Sequence, residues 1–107
     1  METSKRPMDD IRKKIISVTG LQNVYIDPPA DFKMKYPCIR LSRTSGYTQF
    51  ASNMPYIHTR SYRLVLIDYD PDSEYYDKIV YGFPMIRTNR HYVSDGLHMD
   101  DFTLYSY

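Results

Sequence analysis

The chain has 107 residues, a formal net charge of +1 and a single cysteine. That length allows one domain with a two-layer core. Near-neutrality argues against charge-driven attraction to nucleic acid or anionic membrane, and one cysteine excludes an internal disulfide or a Cys-based zinc site.

Leu, Ile, Val and Phe together make up only 24 of the 107 residues, while there are 12 tyrosines. A small domain with few aliphatic residues has a narrow stability margin. Tyrosine gives large contact area at low entropy cost and is enriched at protein interfaces. The composition therefore fits a surface finished by neighbouring subunits, or equally a half-buried sheet lined with Tyr.

The first element in chain order is a helix from Met8 to Thr19. Asp9 and Asp10 occupy its first turn, where carboxylates favour the helix dipole. Ile11, Ile15 and Val18 follow at i, i+4, i+7, with Ile16 widening the stripe, and Gly20 is the stop. A short strand, Val24 to Ile26, closes at Asp27-Pro28-Pro29. After an irregular connection, Tyr36-Pro37 introduces a second strand, Cys38 to Arg43, in which Ile39 and Leu41 alternate with Arg40 and Ser42. Cys38 reads as a small buried hydrophobe.

From Thr44 to Tyr56 neither periodicity holds. Stretches of that length without a period are functional or disordered. This one carries Tyr47, Phe50, Met54 and Tyr56, which points to an extended loop or hairpin arm over residues 44–56 that makes assembly contacts. The alternative is a loop folded over its own sheet.

The longest strand is Ile57 to Asp68. Tyr62, Leu64 and Leu66 fall on one face, Arg63, Val65 and Ile67 on the other. Its apolar end implies burial on both faces, as in a central strand. Asp70-Pro71 opens a second helix, with Asp70 at the N-cap, Pro71 at N1, and Asp72 and Glu74 in the first turn. Asp70, Pro71, Asp72 and Ser73 are thus a helix-capping turn. Tyr76, Ile79, Val80 and Phe83 form the buried stripe, and Gly82 with Pro84 ends the helix. Met85 to Val93 and Phe102 to Tyr107 are the last strands, joined through Ser94 to His98. The expected class is α+β: a single domain of order α-β-β-β-α-β-β, with a mostly antiparallel sheet and two helices on one face.

Chemical sites are hard to find. The spacing Asp68, Asp70, Asp72 imitates the start of an EF-hand loop, but the sixth and twelfth positions hold Ser73 and Ile79 where glycine and glutamate are needed. Asp72, Glu74, Asp77 and Lys78 share one helix, unlike the convergent strands of a metal-dependent nuclease. His58, His91 and His98 are separate in sequence. A His98, Asp100, Asp101 ligand group is opposed by strand geometry, which sends adjacent residues to opposite faces. No nucleophile elbow or phosphate loop is present, and Cys38 has no activating partner. The expectation is no enzyme, no cofactor and no metal. Arg40, Arg43, Arg60, Arg63, Arg87 and Arg90 fall on strands with Tyr62 and Tyr92, a combination that could stack single-stranded nucleic acid. Solvated faces and pairs between subunits are the competing reading.

The segments RSYRLVLID (60–68) and YDPDSEYYDKI, the short helix ending in FPMI, and RHYVSDGLHMDDFTLY together resemble the small tail-terminator proteins of tailed bacteriophages. The matching positions are Asp70, Pro71, Asp72 and Ser73, then Arg90, Tyr92, Asp95, Leu97 and His98, and finally Phe102 and Tyr105. Lys35-Tyr36-Pro37-Cys38-Ile39 resembles the family's second-strand start, so the resemblance covers roughly residues 35 to 107. Gly96 stands where Asn is common, and both tolerate positive φ.

This resemblance implies a structural virion protein. It would form a ring, typically a hexamer of itself, that caps the tail tube, ends tail polymerisation and gives the head connector a docking surface. The implied partners are other copies, the major tail tube protein and a head-completion or connector protein, with DNA threading the ring without specific binding. The alternatives are a head-closure or tail-completion adaptor of the neck and, from another class, a single-stranded nucleic-acid-binding module. The charged start, Met1 to Lys14, has no signal-peptide pattern, and no apolar run approaches a membrane span. The expected location is the host cytoplasm during assembly and then the virion tail or neck.

Overall fold

The computed structural model describes residues 7–43 and 60–106. In chain order the elements are α1 (Pro7–Thr19), β1 (Val24–Ile26), β2 (Cys38–Arg43), β3 (Arg60–Asp68), α2 (Glu74–Gly82), β4 (Ile86–Ser94) and β5 (Leu97–Ser106). The α-β-β-β-α-β-β order and the α+β class are as the sequence predicts. The five strands form one mixed sheet in the order β1-β2-β3-β5-β4. β1 runs parallel to β2, and the remaining three pairings are antiparallel. The apolar run of β3 thus occupies the centre of the sheet. The arm over residues 44–56, with Tyr47, Phe50, Met54 and Tyr56, lies outside the described residues. So does the predicted start of the third strand, Ile57 to Thr59.

Both helices pack on one face of the sheet. Ile15 of α1, Ile79 of α2 and the adjoining Phe83 join Ile39, Leu41, Tyr62, Leu64, Leu66, Phe102 and Leu104 in the main core. These are the alternate positions of β2, β3 and β5, as the register requires. The two helices approach closely at their C-terminal halves. A Cβ added at Gly82 would overlap Val18 Cγ1, so this position needs glycine for contact. On the other face a smaller cluster of Cys38, Val65 and Ile67 is covered by Tyr25, Met34, Tyr36, Leu97 and Met99. The connection between β1 and β2 therefore roofs one half of that face. Its Tyr36-Pro37 peptide bond is cis.

The end of α1 is closed locally. Gly20 N donates to the Ile16 carbonyl at 2.7 Å, and Thr19 Oγ1 donates to the Ile15 carbonyl while accepting from Leu21 N. These bonds satisfy groups that a helix end leaves open.

Two boundaries differ from expectation by more than one residue. α2 begins at Glu74 and its N-cap is Ser73, not Asp70. The Asp68 carboxylate accepts from Asp70 N and from Ser73 Oγ, and the Asp70 carboxylate accepts from Asp72 N. These aspartates hold the chain in successive turns short of the helix. Ser73, extended at φ −64 and ψ 133, then accepts from Tyr75 N. The last strand begins at Leu97, not Phe102, because β4 and β5 join through a two-residue turn. Asp95 and Gly96 both have positive φ, 55 and 77, the combination that suits a tight hairpin between twisted strands.

Candidate functional site

The acidic turn before α2 and the β4–β5 hairpin bound a cleft of about 260 Å³, lined by Pro71, Asp72, Ser73, Tyr76, Asp77 and Asp100. Asp72 and Asp77 are exposed, and Asp100 is half-buried. Asp68 and Asp70 point elsewhere, to backbone N–H groups and the Ser73 hydroxyl. This orientation fits helix capping and does not gather the oxygens around one point as a calcium loop would.

Beside the cleft the structure brings together residues that are separate in sequence. His91 Nδ1 lies 2.7 Å from Asp100 Oδ1, and His91 Nε2 lies 3.3 Å from His98 Nδ1. His91 thus bridges Asp100 and His98 through its two ring nitrogens. The signal for this contact was the Asp95-Gly96 turn. Once that turn is two residues long, His91 falls opposite Asp100 and diagonal to His98. Asp101 points to the other face, as strand alternation predicts. Among the described residues no group of three or more His, Cys, Asp or Glu side chains could hold a metal ion. Cys38 is fully buried, and burial pushes its thiol up to about 12 against the opposing pull of Arg40. It therefore stays a thiol at neutral pH.

The sheet face away from the helices carries a second constellation. Its register places Ser42, Arg63, Thr103 and Arg87 in one row across the strands, and Arg40, Val65, Asp101 and Arg90 in the next. Arg40, Arg63, Arg87 and Arg90 thus share one face and all four are exposed, Arg40 at the border of the cluster that the β1–β2 connection covers, between Tyr25 and Val65 in register. In these rows the carboxylate is Asp101, only 6% exposed. Arg63 Nε and Nη2 donate to its two oxygens at 3.1 Å each, and Arg90 Nε stands 4.0 Å away. The hydrogen bond to Asp101 raises the Arg63 pKa. The Arg90 guanidinium lies over the Tyr92 ring, 5.0 Å from its centre. Arg40 and Arg87 reach no carboxylate among the described residues.

The fold divides the arginine and tyrosine set of the sequence. Arg43 pairs with Tyr62 on the helix side of the sheet, and Tyr62 is 1% exposed in the core. Neither a stacking role for Tyr62 nor a single surface holding all the strand arginines is compatible with that register. Among the described tyrosines, Tyr69 and Tyr81 stand out into solvent, 63% and 83% exposed. No helix among the described residues is long and apolar enough to cross a membrane. Comparison of the chain with protein-family models, curated proteins and solved structures found no match.

Proposed function

We propose that the protein is a structural subunit of a phage tail, assembling into a ring that caps the tail tube, ends its polymerisation and presents a docking surface to the head connector. The observation that carries this reading is the uneven cover of the sheet. One face is sealed by two helices, while half of the other face and the long edge strand β4 are left to solvent with four exposed arginines. A chain this small gains stability by burying such surface against neighbours. The exposed Tyr69 and Tyr81 are of a residue type enriched at interfaces.

The resemblance to tail terminators supplies the identity of the neighbours. Its motif positions have structural roles here: Ser73 caps α2, and Asp95 with Gly96 forms the hairpin turn. Two experiments test the proposal. Purified protein added to growing tail tubes should halt them at fixed length and appear as a terminal ring by electron microscopy. Deletion of Gly46 to Pro55 should impair ring formation or tail joining, and intact function after deletion would remove the arm from this role.

The arginine face also favours a second reading, a single-stranded nucleic-acid-binding module. That reading requires affinity falling steeply with salt, since each neutralised phosphate releases counterions. A salt-dependent gel shift that depends on Arg40 and Arg87 would support it over the tail reading.

A further inference from the structure

The two charged regions of this molecule lie on opposite sides of it. The arginines occupy the sheet face turned away from the helices. The acidic turn and its cleft lie on the helix side, where β3 ends and α2 begins. Asp70, Asp72, Glu74 and Asp77 are exposed there, with Lys78 as the neighbouring cation. The whole chain is nearly neutral at +1, so these regions form a separation of charge within one molecule. No ion pair joins them within the described residues.

We propose that successive copies of the chain meet head to tail, with the open arginine face of one copy seated on the acidic cleft of the next. This rests on the assembly reading above and names the surfaces that carry it. The chemistry matches on both sides. Arg40 and Arg87 are exposed guanidiniums that reach no carboxylate among the described residues, and the fixed planar fork of arginine suits carboxylate partners. Asp72, Asp77 and Asp100 line a solvent-open cleft that could receive them. Because the meeting patches are different, an open row of copies always keeps one free patch of each kind at its ends, and the contact repeats until a ring closes.

The same face offers nucleic-acid bases little to stack on. Tyr62 is buried on the opposite, helix side, and Tyr92 is already covered by the Arg90 guanidinium. The Asp101 carboxylate sits among the arginines, where it repels phosphate.

The test uses the full chain and two charge-reversed variants. One is Arg40→Glu with Arg87→Glu, and the other is Asp72→Arg with Asp77→Arg. All four side chains are exposed, so both variants should fold, as a thermal melt would show. Native mass is measured by light scattering at low and high salt. The wild type should assemble and dissociate as screening shortens from about 10 Å at 0.1 M to about 3 Å at 1 M salt. Each variant alone should fall to the 12.7 kDa monomer, with association weakened about tenfold or more. An equimolar mixture should assemble again, because each variant restores the complement the other needs.

If the wild type and both variants assemble alike, this contact is wrong while assembly stands. If the folded variants stay monomeric when mixed, the head-to-tail pairing is wrong. A wild type that stays monomeric at every concentration overturns this contact and the assembly reading together. A monomeric wild type that binds a labelled single-stranded oligonucleotide through Arg40 and Arg87 would assign the face to nucleic acid.

Discussion

Leu64 and Arg63 are neighbours on β3, yet they belong to different structures. Leu64 is 0% exposed beneath the helices, whereas the Arg63 side chain is 45% exposed on the open face. One face of the sheet is held by close packing throughout, the other by a smaller apolar cluster and, beside it, a few polar contacts that leave charge to spare. The difference separates what makes the domain fold from what remains available for partners.

The sharpest way to break this contrast is Leu64→Ala, which leaves a cavity under both helices. It should destabilise the domain by about 2–5 kcal/mol in urea unfolding. Next is Gly82→Ala, which forces a methyl group against Val18 and should cost about 1–3 kcal/mol. Adding Val18→Ala should recover part of that loss, since the two side chains share one contact.

Cys38 gives a pH-dependent test. An unfolded thiol ionises near pH 8.5, whereas burial keeps the native one protonated up to about 12. Between these values the native state holds the extra proton, so stability is intact below the unfolded value and falls as pH rises. The slope attributable to Cys38 should reach about 1.4 kcal/mol per pH unit and be absent in Cys38→Ala, measured as urea midpoints across that range.

Ser73→Ala removes the α2 cap and a partner of Asp68, and should cost about 1 kcal/mol by the same measurement. The smallest effect belongs to the open face. Arg63→Ala should cost less than about 1 kcal/mol, because the guanidinium is half in water and Arg90 already stands near the buried Asp101 carboxylate. Removing Arg63 and Arg90 together should exceed the sum of the single losses, since Asp101 then keeps no cation among the described residues. If Arg63→Ala alone matched Leu64→Ala, the division between the two faces would fail.

The parts of the fold that follow local rules were legible in the sequence. The isoleucine stripe of α1, its stop at Gly20 and the doubly apolar end of β3 all occupy their expected places. The start of α2 was not, because Asp70 and Ser73 are both good caps. What decides between them is the pair of bonds from the Asp68 side chain, which holds the chain back for one more turn. The start of β5 was hidden because Leu97 and Met99 alternate with His98 and Asp100, a weak strand signal beside a Gly-containing turn. Pairing with β3 on one side and β4 on the other makes this segment a strand, and no local propensity reports that. The contact of His91 with Asp100 and His98 was missed for the same reason. The charge of the arginine face needed the register, which separates Arg40, Arg63, Arg87 and Arg90 from Arg43.

The edge strand β4 has a further consequence. Its register shifts between Thr88 and Arg90, and residues 87–91 are exposed throughout. A foreign strand laid along this margin would align with the hydrogen-bonding groups on only one side of the irregularity. It would also have to accommodate two arginines and a histidine. The margin thus resists the endless strand-by-strand growth by which exposed sheets form fibres. In the assembly proposed above, growth between copies would thereby be left to the faces, where a contact of fixed angle can close on itself and stop.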